Sequence, residues 1–211
     1  VCEGSNISFK YDPMISKLCV WAPNRKKSLE LISHALAEFR IDGIKSNLSF
    51  LIDVISKEKF QKGDFIVIDA AAKYAGYHAD MTRTPVVGEA TDKHHEIYAI
   101  VKEAQQRGCD TANAGVSCWA VDAATRDYIG EMGYGEYYTH GTGHGLGLEI
   151  HTSPRFSPMS EDILAENNVM TIEPGIYLAG WGGVRIEDDV IINKDGCEIL
   201  NKTTKDLVVL D

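Results

Sequence analysis

Residues 139–151 read THGTGHGLGLEIH, three histidines and four glycines in thirteen positions. This stretch restricts the fold more than any other. His140 and His144 are four apart, the spacing at which a helix presents two imidazoles to one metal. Gly141, Gly143, Gly145 and Gly147 argue against a helix, because each costs a helix interior about 1 kcal/mol relative to alanine. They recur at every second position, which is the period of a strand. A glycine-rich strand marks a place where a ligand or another chain segment comes close to the backbone. On an extended segment His140 and His144 share a face, and His151 joins them only through a bend or bulge. The competing reading is a glycine-rich surface loop whose histidines are incidental.

A fold built around such a strand needs a core, and 211 residues at 44% hydrophobic can supply one. The formal net charge of −10 speaks against a nucleic-acid backbone as partner. The same excess makes any single carboxylate weak evidence. Cys2, Cys19, Cys109, Cys118 and Cys197 are scattered, odd in number and form no C-x-x-C pair. That suits reduced thiols in the cytoplasm better than a disulfide framework. No apolar run approaches the length of a membrane span. The start, VCEGSNISFK, lacks the regions of a signal peptide. It also lacks an initiating Met, so a fragment of a longer protein is allowed.

Residues 7–21 are strand-like. Asn24 is placed to cap a helix over Arg25–Phe39, with Leu29, Ile32, Leu36 and Phe39 as its apolar stripe. Asp42-Gly43 signals a turn, and a second helix is expected around Ser49–Ser56. Gly63-Asp64 introduces FIVID, read as a buried strand, and Tyr74–Thr84 follows as another. Helices are expected over Lys93–Arg107 and Cys118–Met132. Strand-like runs then cover 169–178, 184–192 and 196–200, with Asp195-Gly196 as a hairpin turn.

Two hairpins bring carboxylates together in this reading. If the chain reverses at Tyr74-Ala75, Asp69 at the end of FIVID faces Asp80 in GYHADMTRT. Like charges directly opposed in a sheet are destabilising, so a cation between them is the natural reason for the arrangement. If the turn lies elsewhere, both are simply solvated. Glu173 in MTIEPGIY and Glu187 in GGVRIEDD are symmetric about Gly180. They abut the apolar runs Val169–Ile172 and Val184–Ile186, where unpaired carboxylates would cost several kcal/mol. An acidic hairpin edge is the alternative. Four hard oxygen donors and one imidazole suit a pair of divalent ions of the manganese, cobalt or iron kind better than structural zinc.

The runs GDFIVIDAAAKYAGYHADMTRTPVVG, HGTGHGLGLEIHTSP, MTIEPGIYLAGWGGVRIEDDVIINKDGCEIL and KDLVVL resemble the catalytic domain of the Xaa-Pro peptidases. These are aminopeptidase P and prolidase, in the pita-bread family that includes methionine aminopeptidase and creatinase. The resemblance covers residues 64–211. It implies an α+β pita-bread domain and a peptidase that cleaves ahead of proline, its substrate a peptide with proline at the second position. It implies two divalent metals, manganese first and cobalt, iron or zinc as alternatives, held by Asp69, Asp80, His144, Glu173 and Glu187. Asp80 and Glu187 take the positions that bridge both ions. His140, His151 and Arg185 match positions that contact substrate and transition state, and Glu173 the proton shuttle. Neither a nucleic acid nor a membrane is implied, and a homodimer is allowed. Ala71 and Thr152 depart from the family pattern, and the histidine usual shortly before the Gly-Asp pair is missing.

Residues 1–63 are similar instead to the C-terminal part of biotin carboxylases, through YDPMISKL, ALAEFRIDGIKSN and FQKGDF. The segment lacks the ATP-grasp and carboxylation residues, so packing is its expected role. The expectation is a small α/β segment at 1–63 joined to a pita-bread domain at 64–211 that lacks its usual first helices. A weakly active or non-catalytic binding module is the alternative to a working peptidase.

Overall fold

The structure, a computed structural model, describes residues 20–39, 48–57 and 63–210. The chain divides into two compact units, residues 1–62 and residues 63–210. In the first, helix α1 spans Arg25–Glu38 and α2 spans Leu48–Ser56. The Asn24 side chain accepts from the Lys27 backbone N–H at 3.0 Å, the expected cap. Leu36 is the buried member of the α1 stripe, with Leu29, Ile32 and Phe39 half-buried. The two helices pack on each other, yet no α2 residue is buried. The strand expected before Val20 and the Asp42-Gly43 turn lie outside the described residues.

The second unit is α+β. Helix α3 spans Asp92–Thr111 and α4 spans Cys118–Glu131, close to the expected limits. Ser117 caps α4 by accepting from the Ala120 N–H. The main sheet is antiparallel, with strand order β10-β9-β6-β4-β5: Gly196–Ile199, Asp188–Asn193, Val169–Ile172, Gly143–Gly145 and Thr152–Phe156. Val121 and Cys109 of the helices and Phe156, Met170, Ile172, Val190 and Ile192 of the sheet form one buried cluster. At Gly108 a Cβ would lie 2.9 Å from both Ile172 and Thr125, so glycine in mid-helix lets α3 seat against sheet and neighbour alike. A second cluster joins Ile97, Val101 and Ala104 of α3 to Ile176, Val184 and Ile186. Those last residues lie on or beside a hairpin of β7, Gly175–Leu178, and β8, Gly182–Arg185. A further hairpin pairs β1, Ile68–Tyr74, with β2, Tyr77–Arg83. Strand β3, Val86–Val87, runs parallel to β11, Val209–Leu210.

One expectation fails here. FIVID is not a buried strand. The extended pairing begins at Ile68, and Val67 and Ile68 are 37% and 47% exposed. Its apolar composition promised burial that its surroundings do not provide. No helix among the described residues is long and apolar enough to cross a membrane.

Candidate metal centre

The β1–β2 turn is Ala75-Gly76, both at positive φ (49° and 92°), the twist that two-residue hairpins favour. Asp69 therefore pairs with Thr82, and Asp80 with Ala71. The direct opposition expected for Asp69 and Asp80 is corrected to a diagonal one. Shifting the turn by one residue changes the register by two, so both carboxylates keep the same face.

The other hairpin has the expected axis. Gly175 pairs with Arg185 and Leu178 with Gly182; Ile172 pairs with Asp188 and Val169 with Ile191. One register about Gly180 runs through β6–β7 and β8–β9, broken between Ile172 and Gly175 on one side and between Arg185 and Asp188 on the other. Pro174 has no N–H to give the ladder. In the gap the Glu173 N–H donates to the Thr142 carbonyl at 2.7 Å, and the Glu187 N–H donates to the Thr82 carbonyl at 3.1 Å. The break thus opens the hairpin to the strands that carry His144 and Asp80.

The glycines of β4 answer to chain packing. A Cβ at Gly143 would lie 1.9 Å from the Thr171 carbonyl oxygen, and one at Gly145 would lie 2.6 Å from that of Ser153. The close neighbour is the protein's own backbone on both sides of β4. Between the pairs His144–Arg155 and Gly145–Thr152 the register shifts. This bulge, followed by the bend at 147–151, brings the His151 ring to 4.4 Å from that of His144.

Three overlapping groups of ligand-type atoms result: Asp69, Asp80 and Glu187; His144, Glu173 and Glu187; and Asp80, His144 and His151. Within each group the atoms lie within 4.8 Å of one another. Asp80, His144 and Glu187 are buried, Glu173 is half-buried, and Asp69 is exposed. His144 Nε2 is 3.3 Å from Glu173 Oε1, and its Nδ1 faces the Gly145 carbonyl at 3.0 Å. Arg185 pairs with Asp69 and donates to the Tyr177 hydroxyl at 3.2 Å and to Thr82 Oγ1 at 3.1 Å. The Thr82 hydroxyl donates in turn to Glu187 Oε2. His140 Nε2 lies 2.9 Å from the Tyr177 hydroxyl. From α4, Arg126 donates to the His140 carbonyl at 2.7 Å, and Asp122 accepts from the Thr142 N–H at 3.1 Å. These bonds fix the approach to β4.

Crowding of like charge shows in the acidities. Burial first, then the Asp69 carboxylate, raises Asp80 to about 6. Burial, then Glu173 and Asp80, raises Glu187 to about 9. For Glu173 burial also pushes upward, but the His144 hydrogen bond and charge outweigh it and hold the carboxyl below its ordinary value. For His144 burial pulls downward, and Glu173 reverses the sign. Burial and the neighbouring His144 lower His151. Asp80 Oδ1 and Asp189 Oδ1 are buried with no hydrogen-bond partner among the described residues.

A cleft of about 320 Å³ opens beside the cluster, lined in part by His140, His144, His151, Arg155, Glu173 and Arg185. Thr82, Tyr177 and Arg155 belong to the site but were not singled out from sequence. Strand period from Asp80 points to Thr82. Nothing separates Tyr177 from a core aromatic, or Arg155 from a surface cation, until the folded register is known.

Residues 41–194 match the family described as Metallopeptidase family M24, and residues 1–68 match the Biotin carboxylase C-terminal domain. The two matches share residues 41–68. An Xaa-Pro dipeptidase of Pyrococcus horikoshii is 47% identical over 155 residues, 74% of this chain and 44% of that protein. The chain thus spans about half the length of the curated relatives it matches. The crystal structure of an X-Pro aminopeptidase from Thermotoga maritima has a TM-score of 0.69 at 46% identity, over 71% of this chain and 42% of that one. A recombinant prolidase from Thermococcus sibiricus gives 0.69 at 36% identity, over 88% and 59%. The fold is the pita-bread fold expected from sequence.

Proposed function

We propose, from the premise that this chain belongs to metallopeptidase family M24, that residues 64–211 form the metal-binding and peptide-cleaving part of an Xaa-Pro peptidase. The observation that carries this is the convergence of four carboxylates and His144 in three overlapping ligand groups. The donor set fits divalent cations. Asp80 Oδ1 is buried without a partner among the described residues, a cost of several kcal/mol for a charged group, and a cation is the partner that removes it. Asp69, Asp80, His144, Glu173 and Glu187 would hold two ions, with Asp80 and Glu187 shared. Hard oxygen donors favour manganese, with cobalt, iron and zinc as alternatives. Bound metals of this kind supply Lewis-acid charge and a nucleophile at neutral pH.

The chain's own groups do the rest. His151, whose pKa burial and His144 lower from its ordinary value, offers a hydrogen bond to the scissile carbonyl. His140 and Arg185, both joined to the Tyr177 hydroxyl, are donors for charge that develops on the substrate. Glu173 Oε1, next to Thr171 and His144, holds a proton on its way to the proline nitrogen. Arg155 on the cleft wall offers a cation to a substrate carboxylate, which favours short peptides.

Asp69 keeps a side chain 54% exposed, and β1 is exposed along nearly its whole length. We therefore expect weaker turnover than a fully walled site would give. Residues 1–63 we assign to packing, as a biotin-carboxylase-like segment without catalytic groups. Scattered thiols favour a cytoplasmic setting, and the exposed Val67 and Ile68 leave a surface for a homodimer. The test is hydrolysis of an Xaa-Pro dipeptide and of its Xaa-Ala counterpart in manganese and in chelator. Cleavage of the Xaa-Pro peptide alone, lost on chelation, supports the proposal. Equal rates for both peptides, or rates indifferent to chelator, contradict it.

A further inference from the structure

Cys109 and Cys197 belong to neither the ligand groups nor the cleft lining and take no part in the reading above. Cys109 sits in the last turn of α3 and is 5% exposed. Cys197 is half-buried on β10, an edge strand of the main sheet. The Cys197 thiol donates to the Cys109 carbonyl oxygen at 3.3 Å, and both side chains pack in the same apolar cluster. Both are free thiols. We infer that Cys109 and Cys197 form a reversible dithiol–disulfide site, with Cys197 as the attacking sulfur and Cys109 as the resolving one.

Three features support that division of roles. Cys197 is the more exposed sulfur. The neighbouring Cys109, with Lys205, holds the Cys197 thiol below its ordinary value against the opposing effect of burial; the thiolate is the form that reacts. Cys109 lies in contact, so a mixed disulfide on Cys197 meets a second sulfur without a large movement of the chain. With a low-molecular-weight disulfide as oxidant, the Cys197 thiolate attacks one oxidant sulfur and releases the first thiol. The Cys109 sulfur then attacks Cys197, its proton leaving with the second thiol. Two protein thiols are oxidised to one disulfide, and one oxidant disulfide is reduced to two thiols.

The bond would tie α3 to the sheet edge beside the metal ligands. Gln105 donates to Cys109 Sγ at 3.3 Å and to Asp188 Oδ2 at 3.2 Å, and Asp188 follows Glu187 directly. Closing so long a loop constrains the unfolded chain, so the oxidised form should melt at a higher temperature than the reduced one.

The experiment incubates the full chain with millimolar oxidised glutathione, blocks free thiols, and maps peptides without reduction. The expected result is a Cys109–Cys197 cross-linked peptide, reversed by dithiothreitol, with a higher Tm before reversal. Cys197→Ser should leave Cys109 alkylatable, and Cys109→Ser should leave glutathione on Cys197. The inference is overturned if the parent chain carries glutathione on Cys197 without the cross-link, or if both thiols remain free. A cross-link to Cys118 in place of Cys197 overturns it as well.

Discussion

Replacing Glu187 by glutamine should have opposite effects with and without metal. In the metal-free chain Glu187 is 2% exposed and raised from 4.5 to about 9 by burial, Glu173 and Asp80. The sign follows from linkage. A carboxyl whose folded value lies above its unfolded one destabilises the fold once pH passes the unfolded value, and increasingly so until pH reaches the folded value. Each pH step within that window costs ~1.4 kcal/mol. From 4.5 to pH 7 this gives a ceiling of about 3 kcal/mol, and relaxation and water penetration reduce it to roughly 1–3 kcal/mol. Glutamine resembles the protonated form, and its carbonyl can still accept from the Thr82 hydroxyl. Glu187→Gln should thus raise the Tm of chelator-treated protein by roughly 3–10 °C near pH 7. The gain should shrink toward zero near pH 5. In manganese the variant should lose most of the metal-induced rise shown by the parent chain. Thermal melts of both proteins at two pH values, in chelator and in manganese, give all the comparisons. A variant less stable than the parent in chelator at both pH values would refute the reasoning.

Metal binding near pH 7 should release at least about one proton, because Glu187 at about 9 is protonated there, Asp80 at about 6 is largely ionised, and His144, raised by Glu173, must also bind as the neutral ring; calorimetry in buffers of different ionisation enthalpy reads it, and buffer-independent heats would contradict it. Gly143→Ala places a Cβ 1.9 Å from the Thr171 carbonyl oxygen and should cost about 3 kcal/mol or more; denaturant unfolding checks this, and an unchanged midpoint would show that β4 and β6 are not so closely apposed. Tyr177→Phe removes the hydroxyl that links His140 and Arg185, and should lower kcat about tenfold or more while metal content stays unchanged. Loss of metal in that variant would move Tyr177 from substrate contact to metal support.

The first helix was legible because capping and apolar spacing agree locally, as at Asn24. The Glu173–Glu187 axis was legible because symmetry about the LAGWGG loop fixes the register. The break within that hairpin was signalled only by Pro174, and what fills the break depends on β2 and β4, which come from distant sequence. The first hairpin was read one residue early because Ala75 takes a positive φ, an uncommon conformation for a residue with a Cβ. FIVID has the composition of a buried strand, but burial depends on a covering layer that a strand's own residues do not encode. The glycines of β4 declared a close neighbour. Whether that neighbour was substrate or main chain became plain only with Thr171 and Ser153 in place.

The shared-ligand centre is tested most directly by electron paramagnetic resonance of manganese-loaded protein, with metal content measured on the same sample. Two ions per chain and an exchange-coupled signal are expected, and Asp80→Asn should abolish the coupling. A single ion per chain, or the signal of isolated manganese at full loading, would contradict a centre in which Asp80 and Glu187 hold both metals.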